Sequence, residues 1–286
     1  MLKSIKVMGI VIVLIFGVFL FLGTRTASLP DNYGGLDTTL YLAEGEKQPL
    51  VVAFGGGSGG NDWGRNYLKE KREGFLERGI AVLAVGYFKT EHSPNTLDRI
   101  SLNAISDSIL HIARRNPQVD TSRIVLMGAS KGAELALNLA SKFPYFKGVV
   151  ALSTAHVSFP AHTLAANTSS WHFNNQEIPY APAPFKTLWP ALQGDLFGAF
   201  SMILEDEKAA SKAEIEVEKI NGFVFILSGK QDEQWPATRM SDLIIERLSQ
   251  NNFRHSFKHY AFEGGHIEPL NHFDSLFNFL ERELGN

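Results

Sequence analysis

The stretch RIVLMGASKGAELALNLASK, residues 123–142, decides the fold. Arg123 and the four apolar residues after it read as a short strand, Arg123–Met127. Gly128-Ala129-Ser130-Lys131-Gly132 follows, a Gly-x-Ser-x-Gly pattern. From Lys131 to Lys142 the chain reads as an amphipathic helix that follows at once, with Lys131, Glu134, Leu135, Leu137 and Leu139. A serine between a strand and a helix must sit on a sharp turn, and small flanking residues let the chain turn without clashes. That turn lifts the hydroxyl out at the strand's end, where a nucleophile is useful. The pattern alone is weak, because the chain contains a second match, Gly56-Gly57-Ser58-Gly59-Gly60. Context separates the two. Ser58 also follows a strand, but Gly59-Gly60-Asn61-Asp62 cannot start a helix directly, so Ser130 is preferred over Ser58.

Outward from this point the chain alternates short apolar runs with helical patterns, the signature of a mostly parallel sheet with helices on both faces. Strands are expected at Leu50–Phe54, Ile80–Val85, Lys147–Leu152, Phe223–Leu227 and His255–Tyr260, with one or two more near Leu36–Ala43. Helices are expected near Asn66–Arg78 and over Leu97–Arg115, Ala237–Gln250 and Asn271–Glu283. Ser153–Gly194 breaks the rhythm. It holds five of the twelve prolines and two of the four tryptophans, Trp171 and Trp189. A long aperiodic insertion rich in aromatics reads as a cap over a site or as a packed surface excursion. The expected organisation is a leader over 1–30 and one α/β domain over 31–286, with the cap inserted at about 153–194.

A serine hydroxyl needs a base, and a neutral imidazole needs an acid to fix its tautomer. On a sheet of this kind the partners follow in the order serine, acid, histidine, in loops at the carboxyl ends of strands. Asp232 lies five residues past the FVFIL strand, and His266 follows the last strand in Gly264-Gly265-His266. Glu233 is the lesser candidate for the acid. The glycine loop after Leu50–Phe54 has the composition of an oxyanion hole: Gly56, Gly57 and the backbone N–H of Lys131 would face the developing charge. A phosphate cradle is the alternative for that loop, but no Gly-Lys-Ser/Thr ending supports it. His156, after a core strand, and Trp171 and Trp189 in the cap are candidate pocket residues. The other histidines carry no comparable context. No grouping has metal-ligand spacing, so no metal and no cofactor are expected.

Composition excludes several classes. The chain has 286 residues, 44% apolar and 20% charged, and no cysteine. Disulfides, thiolate metal sites and a cysteine nucleophile are therefore absent. The net charge is −3, and no basic patch points to nucleic acid. The partner expected is a small-molecule acyl ester or thioester; the oligomeric state is not legible. Lys3 and Lys6 precede an uncharged run, Val7–Gly23, which reads as a signal or a membrane anchor, or as a buried core helix. The first two imply an exported domain, anchored to the membrane if the run is not cleaved.

Three segments resemble one family, the acyl-CoA thioesterases and bile acid-CoA:amino acid N-acyltransferases. IVLMGASKGAELALNLAS from Ile124 is similar to its nucleophile region. IEVEKINGFVFILSGKQDEQWP from Ile215 is similar to its acid region, including Asp232, Trp235 and Pro236. AFEGGHIEPL from Ala261 is similar to its histidine region. The resemblance implies the α/β-hydrolase fold, a Ser130–Asp232–His266 triad and an acyl-enzyme mechanism on thioesters or esters. Glu134 and Trp235 match family positions and are expected to be structural supports. The family's amino-acid-conjugating members carry cysteine where this chain has Ser130. That difference favours hydrolysis over acyl transfer to an amine or alcohol; a non-catalytic binding protein on the same fold is the remaining alternative. The family's large N-terminal immunoglobulin-like domain has no counterpart in the short stretch before Leu50.

Overall fold

The computed structural model describes residues 27–285, together with Gly17. In chain order its main elements are β1 Asp37–Tyr41, β2 Gln48–Phe54, α1 Lys69–Leu76, β3 Ala81–Gly86, β4 Ile100–Ser101, α2 Leu102–Arg115, β5 Val119–Ala129, α3 Lys131–Lys142 and β6 Gly148–Leu152. There follow β7 Trp171–Phe173, β8 Gln176–Glu177, α4 Leu188–Leu192, α5 Leu196–Leu204, α6 Glu207–Ala213, β9 Phe223–Gly229, α7 Ala237–Gln250, β10 Phe257–Phe262 and α8 Phe273–Leu284. Seven strands form one sheet in the order β1-β3-β2-β5-β6-β9-β10. Only β1 runs antiparallel, against β3; every other pairing in that sheet is parallel.

The side-chain alternation of a strand sorts the sheet into two apolar layers. Leu50, Val52 and Phe54 of β2 pack with α2, α3 and α7 on one face, through Ile105, Leu135 and Ile244. Val51 and Ala53 of the same strand pack with α1 and α8 on the other, through Phe75, Leu276 and Leu280. Both faces are covered, so β2, β3, β6 and β9 are buried along their whole length, as a parallel sheet requires. This is the α/β-hydrolase architecture expected from the sequence.

Two helices, α3 and α7, begin and end where the periodicity puts them. The helix expected from Leu97 instead starts at Leu102. Ile100 and Ser101 are drawn into a second sheet, ordered β4-β7-β8, by pairing with Trp171 and His172. The Ser101 hydroxyl then caps α2 by accepting from Ala104 N at 3.2 Å. The insertion after β6 carries β7, β8 and the three helices α4 to α6 before the chain returns to β9, so it runs past Gly194. It has its own apolar centre, in which Val157, Phe159 and Ile203 pack with Trp235 and Met240.

The expectation of a membrane span is corrected here. A spanning helix needs about 20 apolar residues, whereas among the described residues the longest helices, α2 and α7, have 14 and are amphipathic. No described helix is long and apolar enough to cross a membrane. The run Val7–Gly23, on which the signal and anchor readings rest, lies outside the described residues apart from Gly17.

Candidate active site

Ser130 occupies the single position between β5 and α3, with φ 56° and ψ −122°. Such a conformation costs a non-glycine residue about 1–3 kcal/mol and persists only where its surroundings hold it. Here its N–H donates to Leu152 O of the neighbouring strand at 2.9 Å, and its carbonyl accepts from Ala133 and Glu134 N at 2.9 and 3.1 Å. The flanking glycines are required by close approach. A Cβ on Gly128 would lie 1.9 Å from Gly132 O, and one on Gly132 would lie 2.3 Å from Gly55 O. The motif thus presses the start of α3 against both its own strand and the loop after β2.

That loop carries Gly56 and Gly57 to Ser130. A Cβ on Gly56 would sit 3.3 Å from Ser130 Cβ, and one on Gly57 would sit 2.9 Å from His162 Cε1 and 3.5 Å from Lys131 Cγ. Lys131 is the first residue of α3, so its N–H has no intrahelical acceptor. Ser58 is exposed on the same rim.

Asp232 and His266 come from the loops after β9 and β10, adjacent parallel strands. His266 Nδ1 and Asp232 Oδ2 are 2.7 Å apart, with side chains only 14% and 2% exposed. Asp232 Oδ1 accepts from Gln234 N at 2.8 Å and Trp235 N at 3.2 Å, a local turn that fixes the carboxylate. An ionised carboxylate only accepts, so Nδ1 carries the proton and Nε2 keeps its lone pair. The histidine's backbone is fixed as well. Its N–H donates to Glu233 Oε2 at 3.0 Å, and its carbonyl accepts from Ser153 Oγ at 2.7 Å. Glu233 therefore holds the backbone of His266, and Asp232 holds the ring.

Ser130, Lys131, Gly56, Gly57 and His266 line one cavity of about 640 Å³, within the usual range for small-ligand sites. Trp63, Leu68, Phe200, Trp235, Ile267 and Leu270 supply most of its apolar wall. Trp235 packs edge-on to the His266 ring at 5.9 Å and donates its Nε1–H to Ser153 O at 3.1 Å. At the mouth, desolvation and the Asp62 carboxylate push the Tyr67 hydroxyl up to about 12, so it stays protonated.

Beneath the serine lies a buried ion pair. Lys131 Nζ is 2.7 Å from Glu134 Oε2, with side chains 3% and 0% exposed. Glu134 Oε1 accepts from Trp171 Nε1 at 2.6 Å and Phe159 N at 3.0 Å. Burial pushes the Lys131 ammonium down and the Glu134 carboxyl up, and their mutual attraction opposes both shifts. Glu134 thus ties the nucleophile helix to two residues of the insertion.

The three expected pocket residues go elsewhere. Trp171 is fully buried against Glu134 and does not reach the cavity. Trp189 is 68% exposed on α4. His156 lines a separate cavity beside Glu214 and Ile244, its Nδ1 buried without a hydrogen-bond partner, and desolvation lowers it to about 4. The sequence reading missed His162, which stands over Gly57. Its side chain is exposed at the cavity's rim. Desolvation, with Lys131 and Lys89 nearby, lowers it to about 4. No motif surrounds it; only its place in the proline-rich insertion marks it. Among the described residues no group of three or more His, Asp or Glu could hold a metal ion.

With this geometry in hand, comparison with known proteins places the chain. The family model described as "BAAT / Acyl-CoA thioester hydrolase C terminal" matches residues 107–270, more than half of the chain. Among curated proteins, the mitochondrial acyl-coenzyme A thioesterase 2 of Mus musculus is 26% identical over 255 residues, 87% of this chain and 52% of that protein. Acyl-coenzyme A thioesterase 6 of Mus musculus is 28% identical over 252 residues, 87% of this chain and 56% of that protein. The chain therefore spans about half the length of the curated relatives it matches. Among solved structures, Pyrococcus horikoshii acylaminoacyl peptidase superposes with a TM-score of 0.59 at 16% identity, over 87% of this chain and 39% of that one. An α/β hydrolase from Penicillium sp. sh18 superposes with a TM-score of 0.57 at 12% identity, over 88% and 99%; at such identities the likeness is one of fold. The exported location expected from the leader is corrected by these relatives, of which the first is mitochondrial, and by the lack of a membrane-spanning helix among the described residues.

Proposed function

The chain belongs to the BAAT / acyl-CoA thioester hydrolase C-terminal family, and from that membership we propose that it is a serine hydrolase cleaving an acyl thioester or carboxylic ester through an acyl-enzyme. One observation carries the reading. The strained Ser130 and a carboxylate-paired His266 line the same cavity, opposite glycines that leave the backbone bare.

In this proposal the Ser130 oxygen attacks the acyl carbonyl while His266 Nε2 takes its proton. The N–H groups of Lys131 and of the Gly56–Gly57 loop stabilise the oxyanion. His266 then returns the proton to the departing thiol or alcohol, and a water repeats the sequence to free the acid. Asp232 holds the ring with Nε2 aimed at the reacting atoms. The insertion after β6 acts as the cap of a single domain over 31–286. Relatives named acyl-coenzyme A thioesterases support a thioester substrate.

The test is turnover of short p-nitrophenyl esters and acyl-CoA thioesters, with labelling by a fluorophosphonate probe. Ser130→Ala is expected to lower kcat by about 10⁶-fold and to abolish the label. A folded wild-type protein that takes no label overturns the reading. Diversion of the acyl group to added amines or alcohols would turn hydrolysis into transfer.

A further inference from the structure

A second cavity, of about 310 Å³, lies beneath α4 and α5. Its wall is built from Pro160, Leu188, Ala191, Ala199, Phe200 and Ile203, among others, and no Asp, Glu, Lys or Arg lines it. Its two threonines are already engaged. Thr187 Oγ1 donates to Pro184 O at 2.8 Å, and Thr163 Oγ1 accepts from Ala166 N at 3.1 Å. The chamber therefore offers a ligand apolar surface and almost no polar partner. His162, Leu196 and Phe200 border both this chamber and the cavity at Ser130.

We propose that this chamber is the subsite for the substrate's acyl chain, which passes His162 and Phe200 from the carbonyl carbon at Ser130 and lies between α4, α5 and the segment around Pro160. The assignment rests on the hydrolase reading above. Two observations choose the acyl part over the leaving group. The leaving atom must receive its proton from His266, so the leaving group belongs at the His266 end, near Ile267 and Leu270. The chamber opens from the other side, past His162, which stands over Gly57 of the oxyanion loop. The main cavity also carries a charged group, Asp62, whereas the chamber carries none. A methylene chain gains most by leaving the first for the second.

The test uses the full chain and p-nitrophenyl esters from acetyl to decanoyl. Each methylene that enters the chamber is expected to raise kcat/KM by about fourfold, until the chamber is full. Ala199→Phe, from within the wall, is expected to cut the octanoyl-to-acetyl ratio of kcat/KM at least tenfold. Ala191→Phe does the same from an exposed position on α4, where a larger side chain threatens folding less. A flat chain-length profile overturns the assignment. So does a ratio unmoved by both substitutions, or an equal rise when the alcohol of an acetyl ester is lengthened instead. A protein that cleaves acetyl esters but ignores chain length loses only the subsite. A protein that cleaves none and takes no fluorophosphonate label loses the hydrolase reading, and the subsite with it.

Discussion

His266 and His162 face one cavity, the first from the sheet and the second from the insertion. His266 is held at three points: the ring by Asp232, the N–H by Glu233 and the carbonyl by Ser153. All three partners sit just past the ends of strands that are buried along their length, β6 and β9. His162 has a backbone bond, from its N–H to Leu97 O at 2.9 Å, and its ring is placed by packing over Gly57. The sheet edge therefore holds its histidine in one orientation, and the insertion holds its own by shape. On this comparison, changes at the sheet edge should alter the chemistry, and changes in the insertion should alter stability and substrate choice.

The largest effect is expected at the best-held point. Asp232→Asn keeps the size of the side chain but favours the wrong imidazole tautomer, and should lower kcat by about 10⁴-fold with little change in KM. Equal activity in wild type and variant would remove Asp232 as the group that sets the His266 tautomer. Next comes the seam between the two regions. Glu134→Ala leaves Lys131 buried and unpaired and strips Trp171 and Phe159 of their acceptor. A loss of about 3–5 kcal/mol is expected in chemical denaturation. Trp171→Phe removes one bond to a charged acceptor while keeping the ring buried, and should cost less, about 1.5–3 kcal/mol. If the two losses are equal, the ion pair is not what couples the insertion to α3.

The same division explains what could be read from sequence. Ser130 and Asp232 each follow a strand whose apolar run is plain, and His266 follows a weaker, alternating strand, expected at His255–Tyr260 and found at Phe257–Phe262. A local pattern therefore carried their positions. The bounds of α7 were legible because it buries one regular face, and those of α3 because it follows the serine turn at once. Leu97–Ser101 misled because its apolar spacing is helical, yet Ile100 and Ser101 pair with Trp171 and His172, some seventy residues away. Trp171 and Trp189 looked alike in sequence. One is sealed against a carboxylate on α3, and the other stands in solvent. Such outcomes are fixed by tertiary contact, which no short window contains. His162 belongs to this class, and so does the apolar chamber, whose wall is drawn from three separate segments.

The smallest effect concerns the protonation of the insertion itself. Desolvation lowers His156 to about 4, whereas in the unfolded chain it titrates near 6.5. Between those values the unfolded state binds protons that the folded state refuses, so acid favours unfolding. The stabilisation is complete above about pH 6.5 and is lost progressively as pH falls to about 4. It is separate from the acid limb of Glu216, which Lys142 and Lys219 lower to about 2 and whose contribution fades only below the ordinary carboxylate range. His156→Gln removes that group without adding a charge. It should shrink the fall in Tm between pH 7 and pH 4.5 and leave the steeper loss below pH 4.5 in place. A wild-type Tm that holds steady from pH 7 to pH 4.5 would mean that solvent already reaches the His156 ring. The insertion would then be held more loosely than its packed centre of Val157, Phe159 and Ile203 implies, and the contrast with the sheet edge would widen.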